Sequence, residues 1–322
     1  MRANVIRLII TGLLVWVILS RVNGEEFMSL LKDVDLRLVG LGYLLNLVMV
    51  ALNSVRWSEL VKPLGVRVSF MRLTGYYFVC MFFNNFMPTS IGGDVMRVFD
   101  LSKHTGKKSS AMASIMVERL LGLYALFPIS IVAFLLLGSS LPDRNLFLLA
   151  EAGMLALFVM GTVMIRRRTL RLLVPLLGPA RAWLEKSGIP DRMRRLYDFL
   201  DYYKEDRGAV FRAAVLSVLS RIGWIFGCYM FSLAIGLDLN PLVFFLMMPV
   251  VEVGRMLPIS LAGIGIREGL LVFILARFGV EATPAIFLSL IIYGVFLLNG
   301  LLGGIVYGVR GFLSPARGHE AP

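Results

Sequence analysis

The chain has 322 residues, of which 58% are hydrophobic and 17% are charged, and its mean hydropathy is +0.79. Soluble globular proteins average about 45–50% apolar and about 25% charged residues. The composition therefore excludes an ordinary soluble domain and predicts an integral membrane protein. The net charge of +12 could indicate nucleic acid, but the basic residues cluster between apolar runs. Because that placement is typical of membrane topology, we expect no nucleic-acid partner.

Six apolar segments are long enough to cross about 30 Å of hydrocarbon as helices, which takes about 20 residues each. We predict full spans at about 5–22, 36–56, 110–137, 146–165, 209–236 and 285–308. The runs are continuous and do not alternate every second residue, which favours helices over a barrel. The first segment has a basic start like a signal peptide. It lacks a small-x-small cleavage site, so we interpret it as an uncleaved span.

Basic residues alternate between the connections. The connections 56–72, 97–108 and 166–208 are rich in Lys and Arg, whereas 23–35, 138–145 and 237–241 carry two basic residues between them. The positive-inside rule then predicts that both termini and the 166–208 loop are cytoplasmic. Within that loop, "DRMRRLYDFLDYYK" (191–204) has apolar residues at helical spacing. This pattern indicates an amphipathic helix on anionic head groups, a helix packed on the bundle, or a solvated connector.

An unusual stretch, "MPTSIGGDVMR" at 87–97, recurs in altered form as "LPISLAGIGIR" at 257–267. Both contain Pro, Ser, a branched apolar residue, Gly and Arg at the same offsets: Pro88, Ser90, Ile91, Gly93 and Arg97 correspond to Pro258, Ser260, Leu261, Gly263 and Arg267. Each follows a short apolar segment, and three predicted crossings separate the two stretches. This arrangement predicts an inverted-topology repeat with halves 36–137 and 209–308 and re-entrant helical hairpins at about 70–104 and 242–279.

The residue types in these stretches suit a polar ligand. A helix broken in lipid leaves backbone groups unpaired at several kcal/mol each, unless protein or a water-filled cavity satisfies them. Glycines allow close backbone approach, the N–H groups at a helix start favour phosphate, and arginines offer a forked donor. The candidates are Gly92, Gly93, Gly263, Gly265, Arg97 and Arg267, with Pro88, Ser90, Pro258 and Ser260. The alternative is a pair of interfacial turns with snorkelling arginines.

Ionisable residues in apolar surroundings are further candidates, because they are costly inside a membrane. They are Asp94, Glu118, Arg119, Arg221, Glu252, Arg255 and Glu268. For each, the alternative is a structural ion pair that holds the bundle together. Asn84 and Asn85 either satisfy hairpin backbone groups or line a polar cavity. Two distant cysteines and two histidines in charged or tail segments indicate no disulfide framework and no metal site, so we expect no metal or other cofactor.

Three segments resemble a known family: "FNNFMPTSIGGDVMRVFDLSK", "VERLLGLYAL" (117–126) and "MLPISLAGIGIREG" (256–269). They are similar to the signature segments of the lysylphosphatidylglycerol synthase transmembrane-region family, also called the flippase-like domain family. In relatives with a synthase domain, this region is associated with moving the lipid product between leaflets. The chain ends at Pro322, so we expect a short form without that domain. The resemblance implies that the Pro/Gly/Arg stretches and Glu118–Arg119 are site residues.

These observations predict a lipid translocator of the bacterial cytoplasmic membrane and not an enzyme. Its substrate would be a phospholipid or another polar-headed lipid with an anionic or phosphate-bearing head group. Arg97 would receive the head group at the inner side and Arg267 at the outer side, while Glu118 and Glu252 balance charge or carry protons. A membrane-embedded enzyme that modifies a head group, a small-solute or ion transporter and a scaffold remain alternatives. A homo-oligomer is compatible with the sequence, and no Walker-type loop for ATP is present.

Overall fold

A computed structural model describes residues 12–13, 16–17, 20–87, 92–165, 200–256, 263 and 265–313. Over these residues the chain is helical and has no β-strand. Five of its helical segments are long and apolar enough to cross a membrane: Leu36–Leu64, Lys108–Ser140, Arg144–Val163, Arg207–Ala234 and Ala282–Arg310. The prediction of an all-α, multi-pass membrane protein is confirmed. The predicted first span, 5–22, lies largely outside the described residues.

The helices are numbered in chain order. They are α1 (Gly24–Asp33), α2 (Leu36–Val61), α3 (Phe70–Phe86), α4 (Gly92–Thr105), α5 (Lys108–Tyr124), α6 (Leu126–Leu137), α7 (Arg144–Ile165), α8 (Arg207–Ala234), α9 (Pro241–Met256), α10 (Ile266–Leu275) and α11 (Ala282–Leu313). Helix α1 was not predicted. Its N-cap is Asn23, whose side-chain oxygen accepts hydrogen bonds from the N–H groups of Glu25 and Glu26.

The predicted span 110–137 consists of two consecutive helices, α5 and α6, that separate at Ala125. Pro128 has no N–H to donate to the carbonyl of Tyr124, so one helical hydrogen bond is missing at this point. The predicted span 36–56 also ends later than expected, because α2 continues to Val61. Both differences shift where side chains lie along the helices without changing the number of crossings in these segments.

The first hairpin consists of α3 and α4, which pack against each other. The chain enters and leaves this hairpin at the same end, because Arg72 Nη1 lies 2.9 Å from His104 Nε2 and Lys107 Nζ donates to the carbonyl of Gly65 at 3.4 Å. The two helices have 17 and 14 residues, fewer than the roughly 20 needed to cross a membrane. Helices α9 and α10 form the second hairpin in the same way. Re-entry of either hairpin into the membrane stays a prediction.

In each predicted half of the chain, the hairpin packs against a helix of the other half. Helix α2 packs on α8, which is its counterpart in the second half. Helix α3 packs on α11, and its counterpart α9 packs on α6. Each hairpin therefore lies against the last helix of the other half. A two-fold related repeat would produce this arrangement, although the repeat and its inverted orientation stay predictions.

Small residues bring α3 and α11 into close contact. A Cβ atom built on Gly303 would lie 1.9 Å from the carbonyl oxygen of Phe78, and one built on Gly300 would lie 2.0 Å from Asn85 Nδ2. The Asn85 amide donates to the carbonyl of Phe296 at 2.8 Å. Glycines at a helix interface allow backbones to approach, which is typical of packing in membranes.

Two basic residues that contributed to the predicted charge asymmetry are not in loops. Arg56 lies inside α2 and is 8% exposed, and Arg97 lies inside α4 and is 4% exposed. The correction follows from the longer α2 and from the helical start of α4 at Gly92. The other six basic residues of 56–72 and 97–108 are exposed, so charge still accumulates at this end of the molecule. The cytoplasmic orientation stays a prediction.

The end of the basic loop packs on the bundle. Tyr203 is buried, and its hydroxyl donates to the carbonyl of Leu60 at 2.7 Å. Burial raises the pKa of the Tyr203 hydroxyl, so it remains a donor at neutral pH. This contact favours the packed interpretation for the end of the predicted amphipathic helix, whereas residues 166–199 lie outside the described part of the chain.

Candidate functional site

A buried carboxylate, Glu118 of α5, lies between guanidiniums from two other helices. Arg56 of α2 donates to Glu118 Oε1 at 2.5 Å, and Arg97 of α4 donates to Glu118 Oε2. An arginine on each oxygen offsets the cost of removing the carboxylate from water. The three side chains join α2, α4 and α5. Together with Asp94 and Arg119 they are called the Glu118 cluster below.

Two aromatic rings pack against Arg97. Its guanidinium carbon lies 4.0 Å from the ring centroid of Trp57 and 4.0 Å from that of Tyr77. Trp57 Nε1 donates to Ser114 Oγ at 3.0 Å, which fixes the indole against α5. A guanidinium at this distance from two rings gains cation–π attraction. Arg97 therefore points into the protein and away from bulk solvent.

Asp94, from the first stretch, connects Arg97 to Arg119. Its Oδ2 accepts from Arg119 Nε, and its Oδ1 lies 3.7 Å from Arg97 Nη1. The Arg119 side chain is 39% exposed, so it lies on the outer side of the cluster. Glu118 and Arg119 are adjacent in sequence, yet Glu118 accepts from buried Arg97 whereas Arg119 donates to Asp94. The neighbouring positions therefore take part in different ion pairs of one cluster.

Asn84 caps the second helix of the first hairpin. Its side-chain oxygen accepts from the N–H of Gly93 at 2.9 Å. A Cβ atom built on Gly93 would lie 2.2 Å from the carbonyl oxygen of Cys80. This glycine is needed because α4 approaches the backbone of α3 closely. Pro88 and Ser90 lie outside the described residues.

In the second hairpin, Glu268 organises the start of α10. Glu268 Oε1 accepts from buried Arg267 and, at 3.3 Å, from Ser289 Oγ of α11. Its Oε2 accepts from the N–H of Gly265 at 2.7 Å. The Arg267 guanidinium lies 5.2 Å from the ring centroid of Tyr293. Glu268 therefore fixes Arg267 and links α10 to α11.

A second ion pair lies on α9, just before the second stretch. Arg255 Nη2 lies 3.3 Å from Glu252 Oε2, and the Arg255 side chain is 32% exposed. Gly263 follows with a φ of +78°, and a Cβ atom on it would lie 2.2 Å from Arg255 Cγ. Gly263 thus needs to be glycine for a left-handed backbone, unlike its counterpart Gly93. The residues Glu252, Arg255, Arg267 and Glu268 are called the Glu268 cluster; Pro258 and Ser260 lie outside the described residues.

Arg221 of α8 lies between the two clusters. A Cβ atom built on Gly122 of α5 would lie 3.3 Å from Arg221 Nη2 and 3.9 Å from Arg56 Nη1. Both guanidiniums therefore lie beside this glycine. Arg221 is also within electrostatic range of Glu118 and of Glu252. No carboxylate oxygen in the described ranges lies within 4.0 Å of its guanidinium. Arg221 is partly buried, and among the described residues it lacks the close carboxylate that the neighbouring arginines have.

The N–H groups at both hairpin turns have hydrogen-bond acceptors that the sequence did not predict. They were expected to be open to phosphate, but Asn84 accepts from Gly93 and Glu268 accepts from Gly265. The chain thus supplies its own acceptors at both helix starts, because such N–H groups need a partner away from water. The positions predicted for binding stay predictions. Arg221, a partly buried cation that no described carboxylate pairs, lies elsewhere, on α8.

Sequence reasoning missed Arg56 of the Glu118 cluster and Trp57, whose ring packs against Arg97. Arg56 was counted as a loop cation, and Trp57 was not among the predicted site residues. An available signal was the apolar "VRW" context of Arg56, followed by five more residues before the first proline. Ser217, which accepts from Arg56 Nη1 at 3.2 Å, had no local signal. Its role depends on α2 packing against α8.

Comparison with known proteins identifies relatives along almost the whole chain. Residues 4–304 match the profile of the family described as the lysylphosphatidylglycerol synthase TM region. A UPF0104 membrane protein of Methanocaldococcus jannaschii is 20% identical over 321 residues, which are 97% of this chain and 94% of the relative.

A second relative covers a shorter region. A UPF0104 membrane protein of Pyrococcus horikoshii is 29% identical over 132 residues, 40% of this chain and 39% of that protein. No solved structure matches. Since the family profile matches nearly the whole chain and includes both clusters described above, the chain belongs to the lysylphosphatidylglycerol synthase transmembrane-region family.

Proposed function

We propose that this protein moves a lipid with an anionic, phosphate-bearing head group between the leaflets of the cytoplasmic membrane, and that Arg221 binds the head group. The observation that carries the proposal is the Arg221 guanidinium, which no described carboxylate pairs. A cation in the middle of a span is costly unless an anion joins it. A phosphate oxygen suits a guanidinium, because two N–H groups can donate to it in parallel.

The surroundings of Arg221 support transfer between two sites. Helix α8 packs against α2 on one side and α9 on the other. The Glu118 cluster and the Glu268 cluster therefore flank Arg221. Glu118 accepts a hydrogen bond from the guanidinium of Arg97, and Glu268 accepts one from the guanidinium of Arg267. A phosphate group that reaches either cluster would compete with that carboxylate for the same donors.

The packing of the hairpins supports movement between two states. Each hairpin lies against the last helix of the opposite half, so displacement of one hairpin changes the contacts of both halves. In the proposed cycle the two hairpins open in turn, from opposite sides of the membrane. The acyl chains stay in lipid while the head group passes Arg221. Membership of a family named for a lipid synthase makes a lipid the preferred substrate class.

Purified protein in liposomes tests this proposal. A fluorescent phosphatidylglycerol in the inner leaflet becomes accessible to a membrane-impermeant quencher when it is moved outward. We expect Arg221→Ala to lower the transfer rate by about tenfold or more, because a hydrogen bond to a charged group contributes about 1.5–3 kcal/mol. Arg207→Ala is the matched control, since Arg207 is an exposed arginine on the same helix. Wild-type protein that moves no lipid, or equal rates in the two variants, would exclude the proposal.

Two further measurements distinguish a lipid translocator from an enzyme and from a solute transporter. In a deletion strain, a translocator leaves all lipid species present but changes their distribution between leaflets. Loss of a modified lipid in mass spectra would instead indicate head-group chemistry. Uptake of a free phosphorylated solute by the liposomes, with no lipid transfer, would indicate a solute transporter.

A further inference from the structure

A second buried carboxyl group, Glu151 of α7, has no cationic partner among the described residues. It is 3% exposed, and in the described ranges no Lys, Arg or His nitrogen lies within 4.0 Å of it. Its Oε1 contacts Ser130 Oγ of α6, while its Oε2 is buried without a hydrogen-bond partner. An isolated carboxylate inside a membrane protein is far more costly than a neutral carboxylic acid. Glu151 thus differs from Glu118, where a bound proton would break two ion pairs.

Ser130 has two neighbours that each accept a hydrogen bond. Its Oγ contacts Glu151 and also lies 3.3 Å from the carbonyl oxygen of Leu246 on α9. A serine hydroxyl has one hydrogen, so it can donate fully to one of them only. If Glu151 is ionised, the carboxylate takes that hydrogen and the Leu246 carbonyl loses the hydrogen bond from Ser130. If Glu151 is protonated, it donates to Ser130, and Ser130 donates to Leu246. Only the protonated form satisfies both contacts.

We infer that Glu151 is a proton-binding site and that its proton completes a hydrogen-bond chain from α7 through Ser130 to the carbonyl of Leu246 on α9. The proton comes from water and returns to it, so binding converts a carboxylate and a hydronium ion into a carboxylic acid and water. Glu151 lies about 7.5 Å along the helix axis from Leu146. Leu146 lines a surface cavity of about 290 Å³ at the start of α7.

The hydrogen-bond chain ends at a weak point of the second hairpin. Pro249 lies one turn after Leu246 and cannot donate to the carbonyl of Phe245, so α9 lacks one of its own hydrogen bonds there. Protonated Glu151 therefore ties α9 to α6 and α7, and loss of the proton releases this tie. Because α9 carries Glu252 and Arg255, the release acts on the Glu268 cluster. This consequence rests on the proposed function, whereas the proton site itself does not.

The groups that could influence this proton are few. Helix α6 has no ionisable side chain, and the nearest one on α7 is Arg144, seven positions before Glu151. On α9 the nearest are the paired Glu252 and Arg255, six and nine positions after Leu246. On α8, which packs on α6 and α9, they are Arg221, Cys228 and Tyr229. Asp143 and Arg277 pair at 3.0 Å beside the start of α7. A pH effect that persists without Glu151 would therefore point to another part of the protein.

Infrared spectroscopy of the purified full-length protein tests the site without any lipid transport. Wild-type protein should show, at neutral pH, a C=O stretching band of a protonated buried carboxyl group that weakens as the pH is raised. Glu151→Gln should lose this band, and Glu25→Gln, an exposed carboxyl on α1, should keep it. Ser130→Ala keeps the carboxyl but removes its partner, so the band should shift and not vanish. Identical spectra for wild-type protein and Glu151→Gln would overturn the inference.

The consequence for transport is measured in liposomes buffered between pH 5 and pH 9. Wild-type transfer of fluorescent phosphatidylglycerol should change several-fold across this range, whereas Glu151→Gln and Ser130→Ala should show a flat profile. A pH-dependent band in wild-type protein together with unchanged pH dependence in both variants would overturn the tie to α9. If wild-type protein moves no lipid, the proposed function fails, and the infrared bands still decide the proton site.

Discussion

The two arginine-carboxylate clusters differ in how far their ion pairs reach. In the Glu118 cluster, one carboxylate joins Arg56 and Arg97 from helices that are 62 and 21 residues away in sequence. In the Glu268 cluster, the ion pairs join residues only one and three positions apart. Arg97 is buried against two aromatic rings, whereas about one third of the Arg255 side chain is exposed.

The two stretches share a sequence pattern, yet the ion pairs formed by their arginines connect different numbers of helices. In both stretches the arginine lies inside the protein beside a carboxylate, but only in the first does that carboxylate tie several helices together. The ion pairs of the first hairpin thus reach α2 and α5, whereas the ion pairs of the second hairpin join residues of its own two helices. Under the proposed cycle, the described conformation is the one with the first hairpin closed.

The largest expected effect concerns Glu118. Glu118→Ala leaves two buried guanidiniums without a carboxylate, and removal of one partner of a buried pair costs about 3–5 kcal/mol. We expect a large decrease in the melting temperature of the protein in detergent, measured by tryptophan fluorescence. Cys80, which is buried beside Asp94 in the first hairpin, should become more reactive to a thiol reagent, while Cys228 should stay protected.

The control for that experiment is Glu25→Ala, which removes an exposed carboxylate from α1. An equal loss of stability in the two variants would mean that the Glu118 cluster does not close the first hairpin. Equal labelling of Cys80 and Cys228 in Glu118→Ala would mean that the whole bundle, and not the hairpin, had opened.

A smaller effect is expected where the first hairpin meets the second half. Gly303→Ala would place a methyl group 1.9 Å from the Phe78 carbonyl, so α3 and α11 must separate. Overpacking of this kind costs about 1–3 kcal/mol. Gly308→Ala on the same helix meets nothing within 4 Å and should leave the free energy of unfolding the same or slightly more favourable. Equal melting temperatures for the two variants would contradict the close contact.

The smallest effect is expected in the second cluster. Arg255→Ala removes the ion pair with Glu252, whose side chain is 14% exposed against 3% for Glu118, so water reaches the remaining charge more easily. Thermal unfolding should therefore change little compared with Glu118→Ala. A loss as large as that of Glu118→Ala would show that both hairpins are closed by their ion pairs, and the contrast between the clusters would disappear.

Much of the helical organisation was predictable from short segments of the sequence. Five of the six predicted spans correspond to helices that are long and apolar enough to cross a membrane, because span length depends on consecutive apolar residues alone. The end of α3 at Phe86 was also predictable, since Pro88 disfavours a helical backbone at the preceding Met87, which is extended. The same rule that selected Glu118 as a costly acid in an apolar span applies equally to Glu151, which was not among the predicted site residues.

The pairing of the charged side chains could not be predicted in this way. Arg56 was assigned to a loop because the end of α2 was placed five residues early, and its partner Glu118 lies 62 positions away. The lack of a described carboxylate in contact with Arg221 is also a property of packing, since Glu118 and Glu252 are both near it in the fold.

The sequence alone determined that this is a helical membrane protein with two Pro/Gly/Arg stretches, because hydrophobic length and backbone restrictions are encoded within short segments. Only the tertiary structure decided which of the buried guanidiniums contact a described carboxylate, that Arg221 does not, and that Glu151 has no cation beside it among the described residues. Those outcomes depend on the side chains that helices from distant parts of the chain bring within a few ångströms of each other.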